Sequence, residues 1–235
     1  MGTRAIRLIL VLATGLVVLS PLAAQHLRLH VLAATGTSVE IKNALEAGAD
    51  FNDKDWNGVT ALMAAASTNH DPGVVPLLLR FGAVVDARDR NGQTALMFAA
   101  EKNRDPAVLA ALISGGAMVE NRDYLGRTAL IFAAKNSPVL EVITVLLKAG
   151  ARVNDHDSLG MTPLLYSVWV GPNPAIVAAL LDAGADATIR GPTGRTILEY
   201  AADNPVLAND ESVMQKLKDA VKGGNASAER AQVRG

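Results

Sequence analysis

Apolar positions along this chain recur in a cycle. After Gly58 comes Thr60-Ala-Leu-Met-Ala-Ala-Ala66, an apolar stretch with no β-branched run, which predicts a short helix. A second stretch carries Val74, Val75, Leu78 and Leu79, the i, i+1, i+4, i+5 spacing of one buried helical stripe. That stripe returns as Val108, Leu109, Leu112 and Ile113, then Val142, Ile143, Leu146 and Leu147, then Ile176, Val177, Leu180 and Leu181. Arg80, Lys148 and Asp182 suit its outer face. Gly82, Gly116, Gly150 and Gly184 follow each second helix and predict left-handed C-caps. Gly58, Gly92, Gly126, Gly160 and Gly194 stand thirty-four residues apart, and Thr60, Thr94, Thr128, Thr162 and Thr196 keep the same step. A fixed period of this length identifies stacked two-helix units, none able to bury its apolar face alone.

The connections carry their own signals. Asp71-Pro72, Asp105-Pro106 and Asn173-Pro174 place a capping side chain before a proline, predicting the start of the second helix. Ser137-Pro138 predicts that this start moves two residues earlier in the third cycle. Asn69, Asn103 and Gly171 stand where the first helix must end, and tolerate the left-handed conformation that can end it. Between units the chain extends and turns, with Asp55, Asp89, Asp123 and Asp157 each three residues ahead of a glycine, the pattern of a capped tight turn. Gly191, beside Pro192, breaks that series and predicts a differently shaped last turn.

The ends of the array are read as caps. Residues 25–50 form an N-terminal half-unit, with Leu32-Ala33-Ala34 on one helix and Ile41, Ala44 and Leu45 on the next. Full units occupy about 51–186, and 187–222 forms a C-terminal cap ending in a polar helix with Val213, Met214, Leu217 and Val221 inward. Residues 223–235, rich in small and charged side chains, are expected to be disordered. At the other end, Arg4 and Arg7 precede an apolar run from Leu8 to Leu19, then Ser20-Pro21 and Ala23-Ala24. That order predicts a signal peptide over 1–24, cleaved after Ala24, and a periplasmic or secreted protein. A retained anchor is the rival reading, and its apolar run is shorter than the roughly 20 residues of a spanning helix.

The recurring string Asp-x-x-Gly-x-Thr-Ala/Pro-Leu, then Ala-Ala, then Leu-Leu-x-x-Gly-Ala, strongly resembles the ankyrin repeat, most closely at Asp157-Ser-Leu-Gly-Met-Thr-Pro-Leu164. The resemblance spans Leu27 to about Lys222. It implies an all-α, ankyrin-like repeat solenoid of stacked helix-turn-helix units joined by β-hairpin-like loops. Two departures stand out. Ankyrin repeats usually run about 33 residues, and here the loop between helices holds one more. The family's histidine after Thr-Pro-Leu is replaced by Met63, Met97, Ile131, Leu165 and Glu199, so apolar packing is expected in place of its hydrogen bonds.

Composition narrows the chemistry. A net charge of -1 gives no electrostatic case for nucleic acid, and aromatics at 4% leave the core to aliphatic side chains. There is no cysteine, which excludes disulfides, a cysteine nucleophile and a lipid anchor on cysteine. His26 and His30 would share one helical face, yet no carboxylate pattern surrounds them. The turn aspartates lie a unit apart, too far to act as an acid–base pair. No phosphate-cradling loop or nucleophile elbow is visible. The reading is therefore a non-catalytic monomer without cofactor or metal, touching a membrane only if the signal segment is retained.

What remains is the surface. In ankyrin-like arrays the hairpin tips and the exposed side of the first helices form a concave binding face. By resemblance, the partner-binding residues here are Trp56, Asn57 and Val59; Arg90, Asn91 and Gln93; Tyr124, Leu125 and Arg127; and Ser158, Leu159 and Met161 at the tips. Glu101, Lys102, Lys135 and Trp169 join them from the helices. Both tryptophans fall on this face, and aromatic and arginine residues are the usual anchors of interfaces. The expected ligand is a partner protein. A structural or protective envelope scaffold is the alternative, and an enzyme with a pocket in the groove a remote one.

Overall fold

Thirteen helices fill the described residues, and most alternate between two roles. The inner helices are α1 (Leu29–Thr35), followed after α2 (Ser38–Glu46) by α3 (Ala61–Thr68). Then come α4 (Val74–Arg80), α5 (Ala95–Lys102), α6 (Pro106–Ser114), α7 (Ala129–Asn136) and α8 (Leu140–Lys148). The chain closes with α9 (Pro163–Trp169), α10 (Pro174–Asp182), α11 (Ile197–Asp203), α12 (Pro205–Ala208) and α13 (Glu211–Val233). This computed structural model describes the backbone of residues 29–233 and the side chains of residues 29–224, so the signal segment over 1–24 and His26 lie outside the described residues.

Two stacks result. Inner helices pack in the order α1, α3, α5, α7, α9, α11, and outer helices α2, α4, α6, α8, α10 pack alongside, with α13 completing the outer row against α10. One continuous core runs from Leu29 to Leu217. The predicted stripes lie inside it: Val74, Leu78, Leu109, Leu112, Val142, Ile143, Leu146, Val177 and Leu180 are fully shielded. Truncating such a leucine to alanine removes about 2–5 kcal/mol through lost transfer energy and a residual cavity.

The recurring glycines behave alike. Ten of them, from Gly48 to Gly194, have φ between 77° and 98°, where an L side chain is strained. The loop asparagines behave otherwise. Asn69 is extended at φ -74°, ψ 136°, so it is not the left-handed cap the sequence suggests. It is buried, its Nδ2 donates 2.8 Å bonds to the carbonyls of Ala33 and Gly36 in the preceding unit, and its Oδ1 accepts from Asp71 N–H. Asn103 bonds Ala66 and Asp105 in the same way, and Asn204 bonds Val168, Gly171 and Val206. A buried loop carbonyl needs a partner, and an amide supplies both donor and acceptor.

Helix starts follow the sequence only in part. Asp105 and Asn173 cap α6 and α10, each with proline as first residue. Asp71 instead accepts from Ser38 N–H and Gly73 N–H, and α4 begins two residues after Pro72. The third cycle does not start early: α8 begins at Leu140, thirty-four residues after Pro106, because Val139 N–H turns back onto Ser137 Oγ. Asn52, Asp86, Glu120 and Asn154 also link units, accepting from the backbone N–H of Val84, Met118, Arg152 and Asp186.

Both ends of the stack are made polar by substitution at core registers. Glu40 stands in α2 where later outer helices carry Val74, Val108, Val142 and Ile176, and it is exposed. Glu199 stands where inner helices carry Met63, Met97, Ile131 and Leu165; those four are buried, whereas Glu199 closes a capping box with Thr196. Apolar packing thus replaces the family's histidine in every unit but the last. Gly223-Gly224 does not end α13, which continues through Val233 where the sequence predicts a disordered tail. Ala226, Ala228, Glu229, Arg230 and Ala231 are strong helix formers, enough to carry the helix past two glycines.

Candidate interaction surface

The connecting loops are hairpin-like turns built on one carboxylate. Asp89 Oδ1 accepts from Asn91 N–H at 2.8 Å and Gln93 N–H at 2.7 Å, while its own N–H bonds Gln93 O. Asp55, Asp123 and Asp157 repeat the arrangement. Gly191 has no carboxylate, yet its N–H still bonds Arg195 O and Gly194 N–H still bonds Gly191 O. The last turn therefore keeps the common shape, contrary to the sequence expectation. Tyr200 Oη occupies the missing side chain's place, filling the space where a Cβ on Gly191 would stand.

Consecutive tips are joined through their backbones. Arg90 N–H donates to Asn57 O, Tyr124 N–H to Asn91 O, and Ser158 N–H to Leu125 O, at 2.8 to 3.0 Å. Pro192 holds the next position and has no N–H, so this ladder stops at the fourth tip. A second ladder lies beneath it: Lys54 Nζ reaches Arg88 O, Arg88 reaches Gly92 O and Arg122 O, and Arg122 reaches Gly126 O and His156 O. Extended pairing holds the tips as a row, although the described residues contain only the isolated bridge Lys54–Thr60 and no strand.

On this scaffold the expected contact residues sort into three groups. Trp56 and Tyr124 are 72% and 71% exposed, and Leu125 and Leu159 are exposed beside them. Arg90, Asn91, Ser158 and Lys102 also face solvent. Asn57, Val59, Gln93, Glu101 and Lys135 are half-buried, with Val59 packed against the core. Met161 is the misplaced one. It is 2% exposed and belongs to the core, because its register turns the side chain back onto the inner helix. Arg127 shares that register and is half-buried. Its guanidinium holds Asp123 through Nε at 2.8 Å and Nη2 at 2.6 Å, with Phe132 4.5 Å beneath. Arg127 therefore serves the hairpin.

An aromatic column escaped the sequence reading. Phe98, Phe132, Tyr166 and Tyr200 stand thirty-four residues apart on successive inner helices, carrying four of the nine aromatic residues. Each is met by a cation: Lys102 over Phe98, Arg127 over Phe132, Lys135 over Tyr166, Arg195 over Tyr200. Tyr166 Oη also donates 2.7 Å to Asp157 Oδ2; burial first, then that carboxylate, push the phenol well above its ordinary pKa. Trp169, 45% exposed, stacks on Tyr166 at 6.5 Å and tilts against Tyr200 at 5.9 Å. The signal was present in the one-period spacing of the four rings.

Hairpins capped by aspartate, inner helices opened by threonine, and a family match now coincide. The family described as ankyrin repeats (3 copies) matches residues 29–123 and 102–191. The chain belongs to the ankyrin-repeat family. Its repeats make a protein-interaction scaffold, an all-α solenoid. No curated protein matches the chain. Among the described residues, no group of three or more His, Asp or Glu is placed to hold a metal ion. No helix there is long and apolar enough to cross a membrane. Away from the tips, an open groove of about 670 Å³ lies at the C-terminal ends of α3 and α5, lined by Ser67, His70, Lys102 and Arg104 among others.

Proposed function

We propose that this ankyrin-repeat chain is an exported, non-catalytic protein that captures a partner protein with its hairpin tips and inner-helix face. The observation that carries the reading is the exposure of Trp56, Tyr124, Leu125 and Leu159 along one row of tips tied together by backbone hydrogen bonds. Large apolar side chains held in water by a rigid backbone are typical of docking surfaces, since little entropy is lost when they are covered. Met161 and Arg127 leave the contact set, because the fold uses both internally. Export rests on the basic, apolar and small-residue order of residues 1–24, and places the protein in the periplasm or outside the cell.

A photo-crosslinking residue placed at Trp56 or Tyr124, compared with one at Arg80 on the outer face, tests the surface in the native envelope fraction. One partner crosslinked from the tips alone, and lost in the Trp56→Ala/Tyr124→Ala protein with unchanged melting, supports the reading. Equal crosslinking from Arg80 removes the tips from the interface.

A further inference from the structure

Five side chains at the C-terminal end of the inner face form an unbroken line. Lys135 Nζ sits 5.4 Å from the Tyr166 ring, which stacks on Trp169 at an interplanar angle of 26°. Trp169 then meets Tyr200 at 58°, and Arg195 closes the line 4.6 Å over that ring. The two cations differ. Arg195 is already paired with Asp203 at 2.5 Å, whereas no carboxylate among the described residues pairs with Lys135. Glu101, one unit before Lys135 at the same register, keeps to Lys102. Trp169 and its neighbour Val170 stay 45% and 44% exposed although two tyrosine rings fix the indole. The equivalent positions in earlier units, Ser67, Glu101 and Lys135 itself, carry polar or charged side chains.

From this asymmetry we infer that the C-terminal half of the face recognises a peptide segment presenting an apolar side chain to Trp169 and a neighbouring carboxylate to Lys135. The inference rests on the partner-binding reading above and names the chemistry of what binds. A pre-ordered indole supplies apolar area without ordering cost. An ammonium held beside an aromatic ring, and short of a counter-charge, is the complement of an acidic residue. The charge of Lys135 sets which side of the anchor carries the carboxylate.

Short random peptides displayed and selected on the full chain provide the test. Enriched sequences should place Leu, Phe or Trp next to Asp or Glu. A synthetic peptide of that sequence should change the fluorescence of the Trp56→Phe protein, in which Trp169 is the only tryptophan. Lys135→Glu should weaken it by about 10-fold or more, and exchanging the peptide's carboxylate for lysine should restore affinity to that variant. Trp169→Ala should abolish binding while Lys135→Glu keeps the melting temperature, separating contact from folding. No enrichment, no acidic preference, or a Lys135→Glu effect within about 2-fold overturns the inference. Loss only in the Trp56→Ala/Tyr124→Ala protein also overturns it, while leaving the broader reading of the tips intact.

Discussion

Tyr166 Oη donates a 2.7 Å hydrogen bond to Asp157 Oδ2, closing the fourth hairpin onto its own inner helix. Neighbouring units meet the same need with other residues. In the third, the ring is Phe132 and cannot donate, so Arg127 reaches Asp123 Oδ2. In the fourth, Met161 takes the arginine's register and the tyrosine donates. In the fifth, glycine replaces aspartate and Tyr200 fills the space. The carboxylates of Asp89, Asp123 and Asp157 are buried, and an unpartnered buried oxygen is costly to keep.

Tyr166→Phe should therefore destabilise the protein by about 1–3 kcal/mol, measured by denaturant unfolding. Adding Met161→Arg to that variant rebuilds the Arg127–Asp123–Phe132 arrangement and should recover most of the loss. A double variant no more stable than Tyr166→Phe would show that the three units are not interchangeable. Because the phenol's pKa is raised, its contribution is complete at neutral pH and fades only as strongly alkaline pH ionises it. The tyrosinate absorbance missing from Tyr166→Phe should accordingly appear above pH about 10.

Asn69→Ala removes two hydrogen bonds that join two units and a third, from Asp71 N–H, within its own loop. The expected loss is about 1–3 kcal/mol, because the carbonyls of Ala33 and Gly36 stay behind without that partner. Hydrogen exchange should quicken first in α1, whose attachment to the array depends on this joint. Uniform quickening across all units would contradict that assignment.

Asp71 predicts an acid dependence at the same joint. The Ser38 backbone N–H, then that of Gly73, hold its carboxyl below the ordinary value. A depressed carboxylate contributes stability above the unfolded pKa and loses it as pH falls through the folded one. The stability difference between wild type and Asp71→Asn should thus be constant near neutral pH and shrink below about pH 4. A difference that grows with acidity would refute the attribution. The group is substantially solvated, so the effect should be small and weaken in salt.

Core and surface should separate cleanly. Leu112→Ala, at a fully shielded position, should cost about 2–5 kcal/mol. Tyr124→Ala, on an exposed tip, should change stability by less than about 0.5 kcal/mol while weakening partner capture. A large stability loss at Tyr124 would make its packing against Gly92, where a Cβ would stand 2.8 Å from the ring, structural in purpose.

If residues 1–24 act as a cleaved signal, the exported protein begins at Gln25. N-terminal sequencing of material from the periplasm or medium checks this directly. Protein starting at Met1 and sedimenting with membranes would favour a retained anchor.

The repeat, its two helices, the stripe that each outer helix buries and the glycines of positive φ were legible in the sequence. All are local consequences of residue type at a fixed spacing, and Gly82 or Leu78 states its role wherever it stands. The tertiary structure decided what depends on the neighbouring unit. Asn69 could be a left-handed cap or a bridge, and only the carbonyls of Ala33 and Gly36 across the joint make it a bridge. Met161 and Leu159 are two residues apart at one tip, yet one is core and the other solvent, because the hairpin's fold onto α9 selects a face. Arg127 looked like an anchor until Asp123 claimed it. Periodicity shows which positions are equivalent, while contact across units determines which of them remain free to bind.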